Sequence, residues 1–182
     1  LHHHKRSVVA QHEVSVDTES FATGIRSAMR SAPNVILLGE IRDAETMESA
    51  LKFANTGHLC LTTLHANNAV SALERMTTFF HPEDQANEVV RIAQNLRGII
   101  SQRLVPTVAG GKCAAMEVMV NTPRIQDLII KQDLSELRNT IEQGSKYQMR
   151  TFDQALIELY EQGKVSAETA IEYADSKNNV SL

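Results

Sequence analysis

ILLGEIRD, residues 36 to 43, completes with Val35 an aliphatic run that gives way to a glycine, a glutamate and an arginine–aspartate pair. Such an unbroken run predicts a strand over 35–38, buried on both faces as in a parallel sheet. LCLTTLHANN (59 to 68) repeats the design and ends in Thr63, His65 and Asn67. Open parallel sheets bind ligands beyond the carboxyl ends of their strands. Sequential strands joined by a short helical connection usually lie side by side, so Glu40 and His65 are expected to overhang one crevice. There Glu40 can polarise an attacking water or hold a metal-bound one. His65, with Thr63, can hydrogen-bond a terminal phosphate. These are the parts phosphoryl transfer needs, because its catalysis is mainly positioning and charge neutralisation. The competing reading of Glu40 is a carboxylate favoured by a helix N-terminus. That reading suits Asp43, the expected cap, and Glu45 better. For His65 the competing reading is a loop histidine without a chemical role.

The totals limit the alternatives. A chain of 182 residues, 42% hydrophobic and 22% charged, holds one medium domain or a compact domain with a small appendage. A net charge of −4 leaves no basic surplus for general nucleic-acid binding. The two cysteines, Cys60 and Cys113, form no C-x-x-C pair, which excludes a disulfide framework or zinc ribbon and suits a reducing compartment. No apolar run approaches the roughly 18 residues of a membrane span, and no signal peptide is visible. The expected location is cytosolic. The chain opens at Leu1 in LHHHKRSVVAQ, which reads as native sequence entered midway, hence a fragment. His2, His3 and His4 read as an exposed polar lead-in rather than a metal site, since adjacent side chains diverge.

Along the chain, SVVAQHEV (7 to 14) has the composition of a peripheral strand, and Asp17 or Thr18 offers an N-cap. Phe21, Ile25 and Met29 then mark one helix face, and Pro33 ends that helix. A second helix carries Met47, Leu51 and Ala54 inward and halts at Thr56–Gly57. A third has Val70, Leu73 and Phe80 inward; after Pro82 a fourth carries Val89, Ile92 and Leu96. IISQRLV (99 to 105) and CAAMEVMV (113 to 120) read as strands joined by a Gly110–Gly111 turn. From Asn121 onward every segment looks helical. Thr151 and Gln154 form a capping box, Gly163 breaks a helix and Ser166 caps the last one. The expected architecture is an α/β domain over residues 1–120, mainly parallel, followed by a small all-helical subdomain over 121–182.

A nucleotide motor also needs a phosphate cradle, and no G-x-x-x-x-G-K-[ST] occurs. Gly110–Gly111–Lys112 lacks the earlier glycine and the following Ser/Thr, and it precedes a strand. Read from the residues alone, the chain carries half a nucleotide site.

APNVILLGEIRDAETMESALKFANTGHLCLTTLHANNA (32 to 69) closely resembles the secretion and type IV pilus ATPases, in their Walker B segment and the histidine box after it. SQRLVP, GGKCAAMEVMVNTP and TFDQALIELYEQGKVSAETAIEYA continue the resemblance in the family's order. The TLHANNA box and the absence of a tetracysteine insertion are similar to the retraction branch, PilT and PilU, and most to the PilU type. The resemblance implies a RecA-like P-loop ATPase core that uses ATP and Mg2+, with Glu40 as catalytic glutamate and His65 as the histidine of the box. It further implies that Gly39 lets the chain approach nucleotide. Arg42 and Asp43 complete the signature as structural or intersubunit charges. The implied assembly is a hexameric ring, of one subunit type or mixed with a related retraction ATPase. It would sit on the cytoplasmic face of the inner membrane, against a pilus platform protein, with the Walker A loop upstream.

Two departures qualify this. Ser31–Ala32–Pro33–Asn34 replaces an acidic D-P-D, and Gln126 and Ile130 stand where a retraction-linked helix motif has arginines. The second favours an accessory, PilU-like role; without the family, Leu128, Ile129 and Ile130 read as packed apolar positions. The leading expectation is an ATP-driven pilus retraction subunit. Pilus extension or type II secretion is one alternative, and a non-catalytic assembly or regulatory module is another, on the ground that the P-loop is missing.

Overall fold

A computed structural model describes residues 5–176, so the reading of His2, His3 and His4 lies outside the described residues. The chain divides in sequence between Thr63 and Leu64 into two compact units.

The first unit contains α1 (Phe21–Arg30), β1 (Val35–Leu38), α2 (Ala44–Asn55) and β2 (Leu59–Thr62). β1 and β2 pair in parallel, Val35 opposite Leu59 through Leu38 opposite Thr62. α2 is the crossover that parallel pairing demands; it packs on β2 and receives α1. Asp43 caps α2, its Oδ1 accepting the Thr46 N–H at 2.8 Å. Gly57, at φ +91°, takes the left-handed conformation just past the helix's end. Met47, Ala50, Leu51 and Phe53 are buried on it, as is Thr46.

Four expectations are corrected here. Residues 7–14 form no strand. Val14 makes an isolated bridge to Thr18 inside a turn, and Val8 is exposed; β composition by itself does not make a strand. The cap of α1 is Ser20, which accepts the Thr23 N–H, rather than Asp17 or Thr18. Asp17 instead takes the Glu13 N–H at 2.8 Å, and Thr18 donates to the Ser20 carbonyl. On α1 only Ile25 is buried, with Phe21 and Met29 exposed. Finally, β1 buries Ile36 and Leu38 but leaves Val35 and Leu37 50% and 60% exposed. Burial on both faces is not realised, because no element among the described residues of this unit covers the second face.

The second unit contains α3 (Ala69–Thr78), α4 (Gln85–Asn95), β3 (Gly98–Pro106), β4 (Lys112–Val120), α5 (Pro123–Ile130), α6 (Leu137–Glu142), a 3-10 turn (Ser145–Tyr147), α7 (Phe152–Glu161) and α8 (Ala167–Tyr173). β3 and β4 form an antiparallel hairpin, Gly98 opposite Val120 through Pro106 opposite Lys112. Gly110 and Gly111, both near φ +85°, supply the turn. α7 packs on β4, and α8 on α7 and β3. Val105, Ala115, Phe152, Leu156, Val165 and Ala170 are the buried core of that layer. The Arg103 guanidinium lies 4.1 Å over the Phe152 ring. α3 reaches both strands, and α4, α5 and α6 pack in succession.

Asn121 closes the junction between helix and hairpin. Its Nδ2 donates to the carbonyls of Ala93 and Leu96 at 2.8 Å each, filling acceptors at the end of α4. The capping box is complete, Gln154 N–H to Thr151 Oγ1 at 3.3 Å and Thr151 N–H to Gln154 Oε1 at 3.0 Å. Ser166 caps α8 through the Thr169 N–H. On α5, Leu128 and Ile129 are buried whereas Ile130 is exposed, which corrects the expectation for the third position. Among the described residues no helix is long and apolar enough to cross a membrane.

Candidate functional site

Beyond Leu38 the chain leaves β1 but stays stitched to the end of β2. The Ile41 N–H donates to the Thr63 carbonyl at 3.1 Å, and the Thr63 hydroxyl donates to the Gly39 carbonyl at 2.6 Å. These bonds set Gly39, Glu40 and Thr63 at the carboxyl ends of the parallel pair. Glu40 is half-buried and takes an ion pair from Arg42, whose guanidinium is exposed. The hydrogen bond and charge of Glu40 push the Arg42 pKa further up.

Gly39 has no internal reason to be glycine. Its backbone is not left-handed, and a Cβ built on it meets no atom within 4 Å. The strand tip therefore carries open room immediately beside a carboxylate. Asp43 is differently occupied. The Thr46 backbone N–H, then its hydroxyl, hold the Asp43 carboxyl below the usual range, and the side chain belongs to the cap of α2.

The structure thus gathers Gly39, Glu40, Arg42, Asp43 and Thr63 in the first unit. His65 belongs to the second unit, in the irregular segment before α3, with its side chain exposed. Asn68 ends that segment by capping α3, Oδ1 to the Ser71 N–H at 2.9 Å. The next N–H, of Ala69, is taken by Glu117 Oε1 on β4 at 2.7 Å. Glu117 is 4% exposed, and burial pushes its pKa up against the hydrogen bonds from Ala69 and Ser101.

Sequence reasoning passed over Glu117 and Asn68. Both left a signal. Glu117 shares the strand parity of Cys113, Ala115 and Met119, the buried face of β4, so a charged residue there breaks the pattern. Asn68 directly precedes a helical run, the position an N-cap takes. No group of three or more His, Cys, Asp or Glu suited to a metal occurs among the described residues.

Known proteins resemble this chain in both sequence and fold. The type II/IV secretion system protein family matches residues 3–178. The type IV pilus ATPase PilU of Pseudomonas aeruginosa is 47% identical, the match covering 100% of this chain and 48% of the relative. The type IV pilus retraction ATPase PilT of the same organism is 37% identical over 98% of this chain and 52% of its own. A crystal structure of the pilus retraction motor PilT with bound ADP superposes with a TM-score of 0.87 at 38% identity. That match covers 98% of this chain and 50% of the solved one. The chain spans about half the length of these relatives.

Proposed function

The chain belongs to the type II/IV secretion system protein family, and from that premise we propose that it is the Walker B-bearing part of an ATP-hydrolysing motor subunit for type IV pilus retraction, of the accessory PilU kind. The observation that carries this is the 47% identity to a pilus ATPase along the whole chain, coinciding with a carboxylate on a strand tip that has open room beside it. In this reading residues 1–120 form the ATPase core and 121–182 a helical subdomain.

The residues of the first unit fit the hydrolytic edge of a nucleotide site: a carboxylate and a hydroxyl at the carboxyl ends of the parallel pair, beside a glycine that nothing in that unit requires. They do not supply the glycine-rich nest that cradles β- and γ-phosphates, which is proposed to come from another part of the subunit. Glu40 accepts a hydrogen bond from the attacking water and orients it. His65 and Thr63 offer hydrogen bonds to the terminal phosphate, and Gly39 keeps the strand tip clear. Arg42 fixes the Glu40 carboxylate by ion pairing, and Asp43 holds the N-terminus of α2. Mg2+, when bound with ATP, neutralises phosphate charge. The subunit is placed in a hexameric or mixed ring on the cytoplasmic face of the inner membrane, against a platform protein.

Glu40→Gln in the full-length protein tests this. Turnover is expected to fall about 100-fold or more while nucleotide binding persists. Wild-type turnover in that variant would remove the assignment.

A further inference from the structure

The segment carrying His65 ends where α3 begins, and two side chains fix that point. Asn68 does so locally, three residues from its donor; it shapes the helix start without tying it to anything else. Glu117 is 48 residues away in sequence, on β4, and accepts the Ala69 N–H at 2.7 Å. It is therefore the side chain that sets where the end of the histidine segment stands against the hairpin.

Glu117 is itself held from several sides. Ser101, opposite it in register, donates its hydroxyl at 3.3 Å. Arg103, on the same face of β3, contributes favourable charge to it, against a larger unfavourable charge from Asp175. Arg103 bonds Asp175 at 2.9 Å, the Asp175 N–H donates to Asp153 Oδ1 at 2.8 Å, and Arg138 pairs with Asp153. A buried carboxylate is costly unless its hydrogen bonds are made, and an apolar residue would pack this strand position as its neighbours Ala115 and Met119 do. What a glutamate adds is an acceptor for the first N–H of α3.

We propose that Glu117 is a positioning residue for His65: by holding the Ala69 N–H it fixes the segment from which the imidazole projects, and the Ser101 hydroxyl holds Glu117 in turn. The catalytic consequence rests on the role given to His65 above; the structural consequence does not.

The test compares Glu117→Ala, Glu117→Gln and Val105→Ala in the full-length protein. Val105→Ala is a core truncation on the same hairpin, in the buried cluster with Ala115 and Phe152. Three quantities are read: the His65 imidazole NMR signal, assigned through His65→Gln, the exchange rate of the Ala69 amide, and kcat against KM. Glu117→Ala is expected to shift the His65 signal and to speed Ala69 exchange about tenfold or more. It is expected to lower kcat on the order of tenfold with KM little changed. Glu117→Gln, which can still accept the Ala69 N–H, restores all three, and Val105→Ala leaves the His65 signal in place. An unmoved His65 signal in Glu117→Ala, the same shift in Val105→Ala, or no rescue by glutamine overturns the proposal. Because the signal and the exchange rate need no turnover, a failure of the ATPase assignment in Glu40→Gln is seen separately.

Discussion

Asp43 sits two residues beyond Ile41 in the GEIRD signature, yet its oxygen is spent on the Thr46 N–H. A carboxylate at this position satisfies a donor left open by helix geometry and meets the positive end of the α2 dipole. The sign of its pH dependence follows from its lowered pKa. The folded state favours the ionised form, so the contribution is fully present above the ordinary aspartate value and is lost as pH falls through the lower folded value. Asp43→Ala is expected to cost about 1 kcal/mol at neutral pH. Asp43→Asn keeps an acceptor and costs only a few tenths of that, and its deficit against wild type should shrink below about pH 4. Urea unfolding followed by circular dichroism at pH 7 and pH 3 measures both. An alanine variant as stable as wild type at pH 7 would mean that the cap contributes nothing.

At the scale of elements, what could be read in the sequence was whatever a local pattern determines. Asp43 and the Thr151–Gln154 box announced helix starts, and Gly110–Gly111 announced the hairpin, because each is settled within a few residues. The aliphatic run Val35–Leu38 gave the strand and its polar tip. It could not tell which face is covered, since coverage depends on other elements. Residues 7–14 have strand composition but form no strand, because what composition favours is decided by tertiary context. Glu117 went unread because its donor lies 48 residues away. The hairpin shows the same limit at Gly98. Its backbone is not left-handed, so sequence alone would allow alanine there, but an added Cβ would stand 2.7 Å from the Met119 carbonyl oxygen. Relief requires the strands to separate at Gly98–Val120, beside the Asn121 N–H bond to the Arg97 carbonyl. Gly98→Ala is therefore expected to destabilise the second unit by about 1–3 kcal/mol, reversing the usual gain from replacing a strand glycine. Chemical denaturation decides it, and a stabilised variant would show that the strands tolerate the shift.

At the scale of the whole molecule, the parallel pair raises a physical demand that its own unit leaves unmet. Parallel strands occur almost only with both faces covered. Val35 stands opposite Leu59, and Leu37 opposite Leu61. All four are roughly half exposed, Leu59 at 45% and Leu61 at 48%. Two adjacent cross-strand pairs of aliphatic residues on one face form a contiguous patch rather than scattered surface leucines, and such patches drive association. The 182-residue chain is therefore expected to self-associate with rising concentration through this face. Changing Leu37 and Leu61 together to glutamine should shift sedimentation toward the monomer. It should do so with little loss of unfolding free energy, because those side chains bury little in the first unit. The paired control is Ile36→Ala, on the buried face of the same strand, which should cost about 2–5 kcal/mol without relieving association. A chain that stays monomeric across the concentration range would show that this apolar face does not drive association. If association survives the double substitution, it arises elsewhere, for instance at the exposed Ile100 and Leu104 of β3.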